Sequence, residues 1–143
     1  MTTPGDDVPF DPHAFPDDLV AAQLRLAELY DALHALQRTL PWSREPSPGW
    51  AAEEERGRER VGRPQTDGWA PDAAAEWDRL RAELRETAAV VHCHKHWETC
   101  TTNGVQGAAL VAARMALKRA EGAVPASADG PGSLGQDDVR TAA

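Results

Sequence analysis

Three histidines and two cysteines crowd into the eleven positions of VVHCHKHWETC, residues 90–100. Imidazole nitrogens and thiolates are what zinc prefers, and a closed site needs about four of them at roughly 2.0–2.3 Å. On one continuous helix at about 100° per residue, His92, His96, Cys100 and Cys93 fall near 0°, 40°, 80° and 100°. These four are therefore the candidate metal ligands, and zinc the candidate cofactor. A Cys93 thiol can also be drawn beside His92 or His96 as a nucleophile with its base.

Geometry favours a plainer reading. Residues 92 and 100 lie about 12 Å apart along a helix axis, too far for one ion to collect the whole row. The ligand face is centred roughly 145° from the apolar stripe of the same helix and would look into solvent. Strong zinc signatures come as two ligand pairs across a loop, and this is one block. Exposed histidines at a helix C-terminus, where the dipole favours His⁺, account for the stretch without metal. A Cys93–Cys100 disulfide would need the helix to end by Trp97, because seven helical residues hold the Cα atoms more than about 7 Å apart. Lys95 falls at the stripe's angle and Trp97 off it, so the register changes there. That makes Trp97 a plug between helices rather than an exposed ring. No pocket, oxyanion hole, phosphate loop or nucleophile elbow accompanies the block, so no catalytic residues are assigned and an enzyme is not expected.

The elements that must position these residues read as helices. In residues 16–40, Leu19, Ala22, Leu26, Leu29, Leu33, Leu36 and Leu40 recur every three or four positions, the spacing of one apolar helical stripe and of a heptad seam. Pro16, Asp17 and Asp18 suit the first turn, and Pro41 ends the helix. A second helix is expected over 71–99, with Trp77, Leu80, Leu84, Ala88 and Val91 as its buried face. TTNG breaks it. Asn103, with Gln106 three residues on, is the expected N-cap of a third helix over 104–121. Between the first two helices, residues 41–70 form a connector in which SPGW and TDGW frame the charged run EEERGRER. Trp42, Trp50 and Trp69 are expected to lie back over the helix pair; an aromatic cage for a cation is the less favoured reading. No internal repeat stands out, and nothing alternates with a strand period.

The chain of 143 residues carries a net charge of −8, which argues against a phosphate backbone as partner. The acidic N-terminus lacks the apolar core of a secretory signal, and no apolar run is long enough to span a bilayer. Two cysteines make no disulfide framework. Residues 1–14 and 122–143 are rich in Pro, Gly, Asp and Ala and read as disordered tails around a single helical domain, 15–121.

Several short pieces in order carry a resemblance: FPDDL at 15–19 with Ala22–Gln23, LPWS at 40–43, PGW at 48–50, HKHW at 94–97 and AARMALKRA at 112–120. Together they resemble a family of small, largely uncharacterised helical proteins of high-GC actinobacteria. The resemblance implies a cytoplasmic α-helical protein and supplies no activity. The chain departs from the pattern at the cysteines and extra histidines of 92–100, which counts against a metal function common to that family.

The expected fold is all-α: a long antiparallel helix hairpin, a shorter third helix and a Trp-rich irregular connector. The expected role is a cytoplasmic, non-enzymatic protein-interaction or accessory module, self-associating through Leu26, Leu29, Leu33 and Leu36 as a homodimer or binding another protein. The alternatives are a zinc-stabilised protein using His92, Cys93, His96 and Cys100, and a DNA-associated factor using Arg114, Lys118 and Arg119.

Overall fold

Four helices and one small hairpin make up the computed structural model, which describes residues 8–126. In chain order they are α1 (Asp17–Gln37), β1 (Glu53–Glu55), β2 (Arg58–Arg60), α2 (Pro71–His92), α3 (Lys95–Thr102) and α4 (Ala108–Leu117). The fold is all-helical, as the periodicity indicates. No helix among the described residues is long and apolar enough to cross a membrane.

The described chain divides into two units, residues 28–88 and residues 8–27 with 89–126. In the 28–88 unit, Leu29 and Leu33 of α1 and Leu80 of α2 are buried together, with Leu36, Trp77 and Leu84 against them. This is the helix hairpin, and it covers the leucine stripe of α1 from within. Leu26 is buried as well. Of the expected self-association face, Leu26, Leu29 and Leu33 are buried within the chain and Leu36 is partly buried.

The connector is more ordered than its composition suggests. β1 and β2 pair antiparallel, Glu53 opposite Arg60 and Glu55 opposite Arg58. Arg56 and Gly57 both take positive φ, 55° and 76°, the backbone of a two-residue type I′ turn. Uniform charge and exposure hid this hairpin, because all six strand residues are charged and exposed and no apolar face marks a period of two.

In the other unit the expected long second helix is interrupted. α2 stops at His92, His94 turns to extended backbone with φ −62° and ψ 140°, and α3 starts afresh. Asn103 closes α3 rather than opening the next helix. Its amide donates to Thr99 O at 2.8 Å, Gly104 takes φ 85°, and Val105 N–H reaches back to Cys100 O at 2.9 Å. This is a Schellman ending, in which a left-handed glycine lets the chain satisfy the last carbonyls. α4 then begins after Gly107, shorter than the expected 104–121.

Of the expected tails, residues 1–7 and 127–143 lie outside the described residues. Residues 8–14 and 122–126 are placed: Phe10 sits 6.1 Å ring-to-ring from His96, and Ala123 is buried.

Candidate functional site

The break between α2 and α3 gathers most of the side chains that could do chemistry. A helix that stops leaves its last carbonyls without partners. Here side chains take them. Trp97 Nε1–H donates to Val91 O at 2.7 Å, and the Arg114 guanidinium of α4 approaches His92 O at 3.4 Å. The same guanidinium lies 4.6 Å above the Trp97 ring. Trp97 is buried, as its change of register indicates, and it plugs the junction of α3 and α4.

His94 caps α3. Its Nδ1 accepts from the His96 N–H at 3.0 Å, and its Nε2 lies 3.0 Å from Asp18 Oδ2. An Nδ1 that accepts carries no proton, so the proton is on Nε2 and is donated to the carboxylate. That hydrogen bond from His94 is the main reason the Asp18 carboxyl is held below its ordinary pKa of 3.8. One imidazole thereby ties the first turn of α1 to the first turn of α3.

His96 is turned inward. Its Nε2 is 2.9 Å from the carbonyl of Pro12, which can only accept, so this nitrogen donates. The ring meets Phe15 edge-on at 5.6 Å. Cys100 Sγ lies 3.6 Å from the same Nε2. The pair is not a nucleophile with its base: the nitrogen facing sulfur already bears a proton, and burial pushes the Cys100 thiol upward, away from thiolate.

The four expected ligands thus separate. His96 and Cys100 are buried together, while His92 and Cys93 are exposed. The expectation that the whole row faces solvent is corrected by the break at Cys93–His94, which rotates α3 out of the register of α2. Among the described residues, no three His, Cys, Asp or Glu side chains gather where they could hold one ion. Sequence reasoning missed His94 and Asp18. The change of register near Trp97 was the available signal, but histidine is not among the usual capping residues.

The 28–88 unit carries a second assembly that the sequence shows only in hindsight. Arg44, Ser47, Gly49 and Trp50 recur as Arg63, Thr66, Gly68 and Trp69, a repeat R-x-x-[S/T]-x-G-W offset by 19 residues. The two copies fold about a local pseudo-two-fold. Ser47 and Thr66 exchange N–H···O bonds, both at 2.9 Å, and on either side Trp50 N–H donates to Arg63 O and Trp69 N–H to Arg44 O, again at 2.9 Å. Each hydroxyl accepts from its own glycine, Gly49 to Ser47 and Gly68 to Thr66 at 3.1 Å. Both glycines have positive φ, and a Cβ on either would overlap the carbonyl of Arg63 or Arg44. The absence of a repeat is thereby corrected.

Four tryptophans line this clasp in two pairs. Trp69 and Trp77 are 5.4 Å apart, and Trp42 and Trp50 are 5.2 Å apart. Every ring has an arginine over it: Arg44 on Trp69, Arg81 on Trp77, Arg60 on Trp50 and Arg63 on Trp42. Trp42, Trp50 and Trp69 donate to Pro64 O, Val61 O and Pro41 O. These indoles fasten the connector to itself more than to the helix pair, although Trp69 does stack on Trp77 of α2.

Comparison with known proteins adds a family. A model described as a domain of unknown function, DUF8825, matches residues 18–120. The chain belongs to that family. No curated protein and no solved structure matches it. The DUF8825 span opens at Asp18 and takes in both the helix junction and the arginine–tryptophan clasp. Phe10, Pro12 and Phe15, which close over His96, precede it.

Proposed function

We propose that this DUF8825 protein is a non-enzymatic module that binds another protein. The observation that carries this reading is the outward face of α4. Val111 and Met115, one turn apart, are 60% and 46% exposed, with the small side chains of Ala108 and Ala112 beside them. The helix carries no acidic residue, and the exposed Lys118 and Arg119 follow it. An apolar stripe that ends in basic charge suits an amphipathic helix with acidic flanks. The ring nitrogens at the helix junction support the same reading, since those of His94 and Nε2 of His96 are committed to backbone and carboxylate partners. Two free thiols, Cys93 and Cys100, suit a reducing, cytoplasmic setting.

The test is affinity capture from the native host with the full chain and with a V111D/M115D variant. The reading expects a partner recovered by the first and lost with the second. Equal recovery with both contradicts it. Sedimentation of the purified protein over a range of concentrations tells whether a second copy is that partner.

A further inference from the structure

The two halves of the clasp are filled differently. Around Trp69 and Trp77, Arg44 stacks on the indole and its guanidinium also grips Asp78 with two bonds, of 2.7 and 2.8 Å. Asp78 directly follows Trp77 on α2, so an aromatic–carboxylate pair from a helix completes that half. The other half has the same furniture: two edge-packed indoles, Trp42 and Trp50, with Arg63 over one and Arg60 over the other. Among the described residues, neither arginine has a carboxylate partner. Arg63, the repeat mate of Arg44, is exposed, Trp50 is 42% exposed, and beside it Val61 is 71% exposed.

We propose that this open half, Trp42–Trp50–Arg60–Val61–Arg63, is a docking site for a partner-protein segment that offers a carboxylate next to an aromatic or large apolar side chain. The carboxylate pairs with Arg63 as Asp78 pairs with Arg44, and the apolar side chain covers Trp50 and Val61. A guanidinium already stacked on an indole is pre-organised for a two-bond grip on a carboxylate, which a flexible cation is not. Charge selects the same class of ligand. Glu53, Glu54, Glu55 and Glu59 stand on the adjoining hairpin and repel a run of phosphates, whereas a single carboxylate flanked by neutral or basic residues is admitted. A nucleic-acid strand stacking on Trp50 is the outcome this argument disfavours.

The site rests on the protein-binding reading, but it lies apart from Val111 and Met115 in sequence and in unit, so the two can fail separately. The probe is the chain's own filling segment, a blocked peptide of residues 75–80, AEWDRL, titrated into the full-length protein while the indole N–H resonances are followed by NMR. The inference expects saturable shifts of the Trp42 and Trp50 signals. It expects at least a tenfold loss of affinity with the Arg63→Gln protein or with an Asp-to-Asn peptide, and little change with Arg79→Gln. Unmoved Trp42 and Trp50 signals at millimolar peptide overturn it, as does equal binding by the Asn peptide. Tighter binding of an eight-residue oligouridylate than of the peptide overturns it in favour of nucleic acid. Because Arg63 is exposed, the Arg63→Gln protein should keep its melting temperature, which separates lost binding from lost folding. If the peptide fails while capture still depends on Val111 and Met115, only this site is lost and the protein-binding reading stands.

Discussion

His94 donates to Asp18 through Nε2 while accepting from the His96 backbone through Nδ1, and both bonds are 3.0 Å long. Residues 76 positions apart are joined by one neutral ring, and the start of α3 depends on it. Removing the ring in His94→Ala deletes an N-cap and a hydrogen bond to a charged group, a loss of about 1–3 kcal/mol. His94→Asn keeps an acceptor for the cap and should recover part of this. Urea unfolding of the two variants beside the parent checks the order.

Asp18 gives the acid side of the same link. Its carboxyl is held below its ordinary 3.8, so the folded state favours the charged form. The stability that follows is present above the unfolded pKa and is lost as pH falls through the lower, folded value. Asp18→Asn should therefore have a flatter stability profile than the parent below about pH 4, with the difference constant above about pH 5. Parallel profiles throughout would contradict the bond.

The five tryptophans should answer differently to phenylalanine. Trp97 Nε1–H satisfies Val91 O inside the fold. Trp97→Phe leaves that carbonyl only the long 3.4 Å bond from the His94 N–H and should cost about 1 kcal/mol. Trp77 is the reverse case: its indole N–H is buried without a hydrogen-bond partner among the described residues. Trp77→Phe removes an orphan donor and should leave the unfolding midpoint unchanged or raised, although the ring is the larger part of the hydrophobic contact. A cost at Trp77 as large as that at Trp97 would show a partner for its indole.

Gly49 and Gly68 occupy matching places, each with positive φ and each facing a carbonyl of the opposite repeat. Alanine at either should cost on the order of 2 kcal/mol, from strain and overlap together. The pseudo-two-fold predicts similar losses at the two sites. If one is tolerated, the repeats are alike in sequence but not in packing.

The helices were legible because burial imposes a period. Leu19, Leu26, Leu29 and Leu33 are spaced by the turn of α1, and all four are buried. The order of the resemblance motifs was legible too, and Asp18 of FPDDL and His94 of HKHW prove to be partners. The break at Cys93–His94 showed in the sequence only as the change of register between Lys95 and Trp97, because no proline or glycine marks it; it is held by Trp97, Arg114 and His94 acting on backbone atoms. The hairpin 53–60 was hidden by its charges, and the repeat by the different residues between its fixed positions. The leucine stripe of α1 was legible as a face that needs a dry surface to lie against. Its dry surface is the chain's own α2.

The central claim is that the rings of His94 and His96 hold the helix junction through carboxylate and backbone partners. Long-range proton–nitrogen NMR of the imidazole rings tests it most directly, before and after one equivalent of zinc. The account predicts His94 and His96 with protons on Nε2, unmoved by the metal, and no change in melting temperature on adding chelator. Loss of the Nε2 proton from either ring with zinc, together with a raised melting temperature, would contradict it.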